Sequence, residues 1–459
     1  MEYVSVKEKA EEWGLTERQI QYYCKQSKIE GAIKKSGVWL LPDDAKSPTK
    51  NKKLRLLSLF SGCGGMDLGF EGNFTIFKNQ HNPRINSHWK VKELNEGELL
   101  LPKTRFSTVF ANDIRPDAQI AWSNFFNDKE QIYHVDSIVD LVKLHKNNNI
   151  SIFPSNIDVV TGGFPCQDFS VAGKRLGFES IKSHSNDKIH VDEPSIENRG
   201  NLYMWMREVI AITQPKIFIA ENVKGLTNLG DAQQIIESDF SSIANGGYLV
   251  FPARVLLAAN FGVAQSRERV IFIGIRKNAV VPDILEKLED LEQHIELDPY
   301  PSITHSAEGL PGTLPFVTVR EVLQGLQEPE LTEHIDQQRY SGAKFMGKHC
   351  QGQIEVNLDG IGPTIRSEHH GNIEFRRLSK ENGGQYIDEL ERGLKERRLT
   401  IRECARIQSF PDDYKFCKPG KNGVSTTNAY KLIGNAVPPL MAFHIAQRIE
   451  DLWPIYFGE

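Results

Sequence analysis

The chain has 459 residues, 39% hydrophobic and 25% charged, with a formal net charge of −5 at pH 7. That is long enough for two or three domains with an ordinary soluble balance, and no apolar run approaches the roughly 18–20 residues that span a bilayer. The slightly acidic total does not mark a nucleic-acid binder, although charge can be segregated along a chain.

The opening residues Met1-Glu2-Tyr3-Val4 lack a basic-then-apolar signal pattern. Six cysteines, at positions 24, 63, 166, 350, 404 and 417, show no CxxC pairing. That argues against a zinc site and a disulfide framework, and predicts a reducing cytoplasm.

Residues 1–46 read as a unit of their own. Ser5 caps a short helical pattern over residues 6–13, with Glu8 completing a capping box, and Gly14 ends it. Thr16 caps a second helix over residues 17–26. Two short helices joined by a glycine-containing turn make a helix-turn-helix pattern. Residues 33–42 follow as a hairpin with Ser36-Gly37 at the tip. On these residues the segment resembles the winged helix-turn-helix of the excisionase and MerR families, which implies a DNA-binding module. The plainer alternative is a small helical interaction cap. Residues 47–53, polar and basic with one proline, read as a linker.

An α/β pattern begins at residue 54. Apolar runs at 54–60, 108–112, 157–161, 218–221, 248–257 and 270–275 read as buried strands. Helical patterns lie between them, for example over 202–213 and 232–245. Such alternation predicts a doubly wound, mostly parallel, Rossmann-like α/β sheet. Two stretches break the rhythm: 73–106, expected as an inserted hairpin or loop, and 179–198, a polar stretch expected as a mobile loop. Residues 277–397 change texture and read as a second, smaller domain that opens with an acidic helix over 283–296. Residues 399–410 read as a capped helix, and 431–452 as one long final helix.

Several strand ends carry chemistry. Phe60-Ser61-Gly62-Cys63-Gly64-Gly65 joins a strand to a helix beginning near Met66, and its glycines let backbone approach a ligand. Asp113, in Asn112-Asp113-Ile114, can accept from ribose hydroxyls, and Asp136 at the next corner can meet an adenine edge. Acids at successive strand ends favour an adenosyl ligand. The pattern is not GxGxxG, which disfavours NAD. The third strand runs into Gly162-Gly163-Phe164-Pro165-Cys166-Gln167-Asp168-Phe169-Ser170, displaying a thiol at a strand end. Fifty-five residues on, another buried strand delivers Glu221-Asn222-Val223.

In this order the residues resemble the DNA cytosine carbon-5 methyltransferases. The matching pieces are Phe60-x-Gly62-x-Gly64-Gly65, Gly163-Phe164-Pro165-Cys166-Gln167, Arg199-Gly200-Asn201-Leu202, Glu221-Asn222-Val223 and Gln265-Ser266-Arg267-Glu268-Arg269. Leu399-Thr400 with Arg402-Glu403-Cys404-Ala405, and Gly434-Asn435-Ala436-Val437-Pro438-Pro439, complete the set. The resemblance implies a catalytic domain over 54–276 and 398–459, with a target-recognition domain over 277–397. S-adenosylmethionine would be the cofactor, bound by Phe60, Gly62, Gly64, Gly65, Asp113, Ile114, Asp136 and Asn435. Cys166 would attack carbon 6 of cytosine and Glu221 would hold or protonate ring nitrogen 3. Arg267 and Arg269 would meet the cytosine oxygen, a backbone phosphate and nearby acids. Residues 167–200 would close over the DNA, with Gln167, Ser170, Lys174 and Arg175 as contacts. A DNA-facing strand would carry Arg366 and His369. No metal is expected, because the adjacent His369 and His370 would point to opposite faces of a strand.

The leading expectation is a monomeric enzyme that methylates a flipped-out cytosine in double-stranded DNA, beside a cognate restriction endonuclease. Two alternatives stand: a tRNA methyltransferase of the same fold, and a DNA-binding regulator with a silent catalytic domain.

Overall fold

A computed structural model describes residues 3–13, 15–45, 53–147, 150–165, 202–243, 246–348, 352–367, 373–418 and 423–458. Cys166, Gln167, Ser170, Lys174, Arg175, the 179–198 stretch and His369 lie outside the described residues.

At the N-terminus, β1 (Tyr3–Ser5) leads into α1 (Val6–Trp13) and α2 (Glu17–Lys25), followed by β2 (Ile33–Lys35) and β3 (Val38–Pro42). The three strands form an antiparallel sheet with β3 in the middle. The predicted Ser5 capping box forms, and the predicted Thr16 cap forms one as well. Ser5 Oγ accepts from Glu8 N at 3.2 Å while the Glu8 carboxylate accepts from Ser5 N at 2.7 Å; Thr16 and Gln19 do the same for α2. Val6, Ala10, Ile20, Tyr23, Cys24, Ile29 and Leu41 make a small core separate from the main ones.

The main sheet begins with β4 (Leu54–Leu59), which turns into α3 (Gly65–Glu71). The 73–106 stretch folds as the antiparallel strands β5 (Thr75–Phe77), β6 (Lys92–Glu93) and β7 (Glu98–Leu100), with β7 central. Next come β8 (Phe106–Asn112), α4 (Pro116–Phe125), β9 (Tyr133–His134), α5 (Ile138–Asn147) and β10 (Val159–Gly163). After the helix Leu202–Thr213 come β11 (Ile217–Val223), β12 (Tyr248–Val250), β13 (Arg254–Leu257) and β14 (Glu268–Arg276). The spatial order is β12-β14-β11-β10-β4-β8-β9, with β13 also on β14. Seven of these eight strands run one way and β14 runs against them.

Successive residues of each strand feed opposite layers, as the period of two requires. Ile217 and Ile219 of β11, with Ile271, Ile273 and Ile275 of β14, pack into one core, where α3 and the C-terminal helix lie. Phe218, Ala220, Val270 and Phe272 pack into the other, against Val209, Ile236 and Phe240 of the intervening helices. The predicted doubly wound sheet is therefore the observed architecture.

Three element boundaries differ from the sequence reading. The strand expected over 248–257 is split into β12 and β13, with Pro252 in the gap, a residue that cannot donate to a ladder. The acidic helix stops at Leu288, so it covers only Pro282–Leu288; Glu286, Glu289, Asp290 and Glu292 would have repelled one another at i,i+3 and i,i+4 had it continued. The single final helix is two, Thr426–Asn435 and Pro439–Phe457, because Pro438 and Pro439 cannot extend the first. That break turns Asn435, Ala436 and Val437 toward the site described below.

Among the described residues, 277–397 hold only short elements, including β15 (Phe375–Arg377), which pairs with β16 (Arg397–Arg398). Val317, Val319, Leu358 and Ile365 share one buried cluster with Leu54 and Leu56 of the sheet. Ion pairs organise the rest: Arg377 meets Glu328 at 2.6 Å and Glu389 at 2.8 Å, and Arg397 meets Glu403 at 2.8 Å. Among the described residues no helix is long and apolar enough to cross a membrane.

Candidate active site

A cavity of about 700 Å³ opens where β4, β8, β10 and β11 end. The carboxyl edge of a parallel sheet is where such folds bind ligands. The volume suits a nucleoside-sized ligand together with one base.

The cofactor side is built from the glycine loop. Its backbone is pinned before any ligand arrives: Ser61 N donates to Asn112 O at 2.8 Å, Gly62 N to Asp113 Oδ2 at 3.0 Å, and Tyr133 Oη to Gly62 O at 2.8 Å. Asp113 also accepts from Arg115 N through Oδ1 at 3.0 Å. One lone pair on each oxygen is thus used internally, and the others remain for a ligand. Burial raises its pKa from the ordinary aspartate value. Asn112, given no role by the sequence, ties two corners together by donating to both His134 O and Asp136 O at 2.9 Å. Phe60, Gly62, Gly65, Asp113, Ile114, Asp136 and Asn435 all line the cavity. An open backbone at the loop and acids at two corners fit an adenosyl group, so the donor set agrees with the implied cofactor.

Gly64 does not line the cavity. It sits beneath the loop at φ +80°, where a Cβ would lie 2.5 Å from Trp122 Cδ1. Both the left-handed backbone and the indole exclude a side chain. Gly64→Ala should weaken cofactor affinity by about tenfold or more, since roughly 1.4 kcal/mol of loop strain corresponds to that factor. Calorimetric titration with S-adenosylhomocysteine checks this, and unchanged affinity would contradict it.

Trp122 is itself held from below: its Nε1 donates to Asp67 Oδ2 at 2.7 Å. Burial pushes the Asp67 carboxyl up to about 6, against the Ser58 and Trp122 hydrogen bonds. A folded-state pKa above the unfolded one means stability is greatest below about 4 and is lost as pH rises toward 6. Asp67→Asn should therefore flatten that part of the stability profile and raise stability at pH 8 by roughly 2–3 kcal/mol. Thermal melts of both proteins at pH 4, 6 and 8 test the sign.

The catalytic side rests on three strand ends. In the parallel pair β10–β11, Gly163 lies opposite Glu221. A Cβ at Gly163 would come within 2.7 Å of Glu221 Oε2, so glycine leaves the carboxyl its space. Asn222 Nδ2 donates to Phe164 O at 3.0 Å, fixing the turn that leads into Pro165 and Cys166. The antiparallel β14 brings Arg269 Nε to 2.6 Å from Glu221 Oε1. Burial raises the Glu221 pKa, and the charges of Arg269 and Arg267 oppose that shift.

Arg267 departs from the expectation of a substrate contact. It is fully buried, does not line the cavity, and donates to Ile365 O at 3.1 Å and Gly434 O at 2.7 Å. Burial and Arg269 both disfavour its charge. It acts as a strut joining its own motif, the Gly434 motif and the Ile365 segment. Gln265 and Gln408, also unassigned by the sequence reading, extend that strut: Gln265 Nε2 donates to Gln408 Oε1 at 2.5 Å, and Gln408 Nε2 to Ala436 O at 2.7 Å. Arg366 does line the cavity with its side chain exposed. Its segment is sewn to the Gln265–Arg269 segment by Thr364 Oγ1→Ser266 O at 2.5 Å and Ile365 N→Gln265 Oε1 at 3.2 Å.

Residues 54–451 match the family model described as C-5 cytosine-specific DNA methylase. The Type II methyltransferase M.BspRI of Lysinibacillus sphaericus is 32% identical over 422 residues, covering 89% of this chain and 84% of that protein. The Type II methyltransferase M.BsuRI of Bacillus subtilis is 31% identical over 426 residues, covering 89% and 82%. A crystal structure of the S. pombe Dnmt2 methyltransferase has a TM-score of 0.50 at 16% identity, covering 88% of this chain and 99% of that one, a likeness of fold. The matched segment spans the whole sheet, every wall of the cavity and all seven motifs, and on that ground the chain belongs to the C-5 cytosine-specific DNA methylase family.

Proposed function

We propose that the protein is a sequence-specific DNA cytosine carbon-5 methyltransferase, the modification half of a restriction system, acting on a cytosine flipped out of duplex DNA. The observation that carries this reading is the buried Glu221 carboxyl, gripped by Arg269 at 2.6 Å, beside the strand end that leads to Cys166. The Type II designation of relatives over 30% identical supports the restriction context.

Carbon 5 of cytosine is a poor nucleophile. Addition of the Cys166 thiolate to carbon 6 makes an enamine-like ring whose carbon 5 is nucleophilic. Negative charge would otherwise build on ring nitrogen 3; a carboxyl group there must supply a proton or a hydrogen bond. A raised pKa in Glu221 serves that role, and Arg269 orients the carboxyl. S-adenosylmethionine, held by the glycine loop with Asp113, Asp136 and Asn435, supplies an electrophilic methyl group. Loss of the carbon-5 proton to a base, for which water suffices, then expels Cys166. Flipping the base costs a few kcal/mol; Gln167, Ser170, Lys174, Arg175, Arg366 and His369 are the contacts proposed to offset it.

Residues 277–397 are proposed to read the target sequence, and residues 1–46 to form a winged helix-turn-helix. The working unit is a monomer in a prokaryotic cytoplasm with a cognate endonuclease. Bisulfite sequencing of a plasmid from a methylation-deficient host expressing the chain tests the activity. Protected cytosines in one short motif are expected. An unprotected plasmid with label transferred to tRNA would overturn the choice of substrate.

A further inference from the structure

The N-terminal unit is docked on the catalytic body through its second helix. Gln19, 3% exposed, donates to Asp451 O of the C-terminal helix at 2.9 Å. Arg18 pairs with Glu296 at 3.3 Å, and Lys90 reaches Glu12 O at 2.8 Å.

The place of attachment matters. Asp451 lies twelve residues beyond Pro439, about 18 Å along the helix from the residues that line the cavity. That far end packs where strands begin. Lys216, just before β11, lies over the Trp453 and Phe457 rings at 5.4 and 5.1 Å. Arg105, just before β8, pairs with Glu450 at 3.2 Å. The cavity opens where the same strands end, so the N-terminal unit occupies the opposite edge of the sheet.

Docking leaves one stripe of α2 in solvent. Gln19, Ile20, Tyr23 and Cys24 are buried, while Glu17, Gln21 and Lys25, spaced by four, are exposed on a common face, with Arg18 turned to Glu296 of the catalytic body. The β2–β3 hairpin presents Lys34 and Lys35, flanked by Ile33 and Val38, 41% and 59% exposed. Charge is segregated accordingly: residues 17–38 carry five basic and two acidic side chains, residues 1–16 two basic and four acidic. A helix of this kind enters the major groove, where Gln and Lys read base edges, and lysines on a hairpin meet flanking phosphates.

We infer that this outward face binds a second segment of double-stranded DNA, so that one molecule holds two duplex segments at once, at opposite edges of the sheet. A single short duplex does not serve both. Bending about 20–30 bp by roughly 40–90° already carries an elastic cost, and reaching the opposite edge needs a sharper bend. The inference goes beyond the catalytic reading, which requires only one duplex.

The test uses the full chain and a pool of random-sequence 30-bp duplexes at 150 mM salt. Two families of enriched sequences are expected, one methylated when S-adenosylmethionine is added and the other not. An equimolar mixture of protein with one duplex from each family should give a light-scattering mass of one chain with both duplexes. The triple variant Lys25→Glu, Lys34→Glu, Lys35→Glu should lose at least about tenfold in affinity for the second family, because three phosphate contacts become repulsive. Its methylation rate on the first should stay within about twofold, and that retained rate also reports correct folding. A single enriched family, displacement of one duplex by the other, or a variant that binds the second family normally would each overturn the inference.

Discussion

Cys166→Ala is expected to abolish methyl transfer, with a loss of at least about 10⁴-fold, the scale on which removing a covalent nucleophile acts. Alanine cannot add to carbon 6, so carbon 5 never becomes nucleophilic, however well base and cofactor are placed. Binding should survive: the cavity walls proposed to hold the cofactor come from other elements, namely Gly62, Asp113 and Asp136 after strands and Asn435 at a helix end. Transfer of tritiated methyl to plasmid DNA measures the first effect and calorimetric titration with S-adenosylhomocysteine the second. Label incorporated within tenfold of wild type would remove Cys166 from the reaction.

Glu221→Gln should cost about 10²–10⁴-fold, the range of a lost proton donor. Glutamine keeps the volume beside Gly163 and can still accept from Arg269, so the fold should hold. Glu221→Ala is expected to do worse in a different measurement. It strips the Arg269 guanidinium, whose side chain is only 10% exposed, of its carboxylate, and leaving a buried charge unpaired costs roughly 3–5 kcal/mol. Thermal melts should therefore separate the two variants while both are slow. The pH dependence follows from the direction of the shift. Burial raises the Glu221 pKa, so its proton is held to higher pH than an ordinary glutamate would hold it, and the rate contribution from the protonated acid falls as pH rises through that value. In Glu221→Gln that alkaline fall should be missing. An unchanged pH profile would assign the fall to another group.

Much of the architecture could be read from the chain because the signals are local. Apolar runs mark β4, β10, β11 and β14, glycines end the first two, and a Ser–Glu capping box and a Thr cap mark α1 and α2. The boundaries that were misjudged, at Pro252, around Glu289–Glu292 and at Pro438-Pro439, are places where one breaker residue or one cluster of like charge outweighs a hydrophobic pattern. Most of the cavity lining was likewise legible, since strand ends and their following residues must converge at one edge of a parallel sheet.

What the sequence by itself determined is the order of the motifs, the doubly wound sheet, and the residue types at each strand end, because each depends on neighbours a few positions away. What only the tertiary structure decided are roles set by distant partners. Arg267, the third residue of its motif, is a buried strut because its donors find Ile365 O and Gly434 O, 98 and 167 residues away. Gly64 is needed because Trp122 lies beneath it, and α2 exposes one stripe because Asp451 covers another. Contacts of that sequence separation leave no periodic trace in the chain; they exist only once the sheet has brought its ends together.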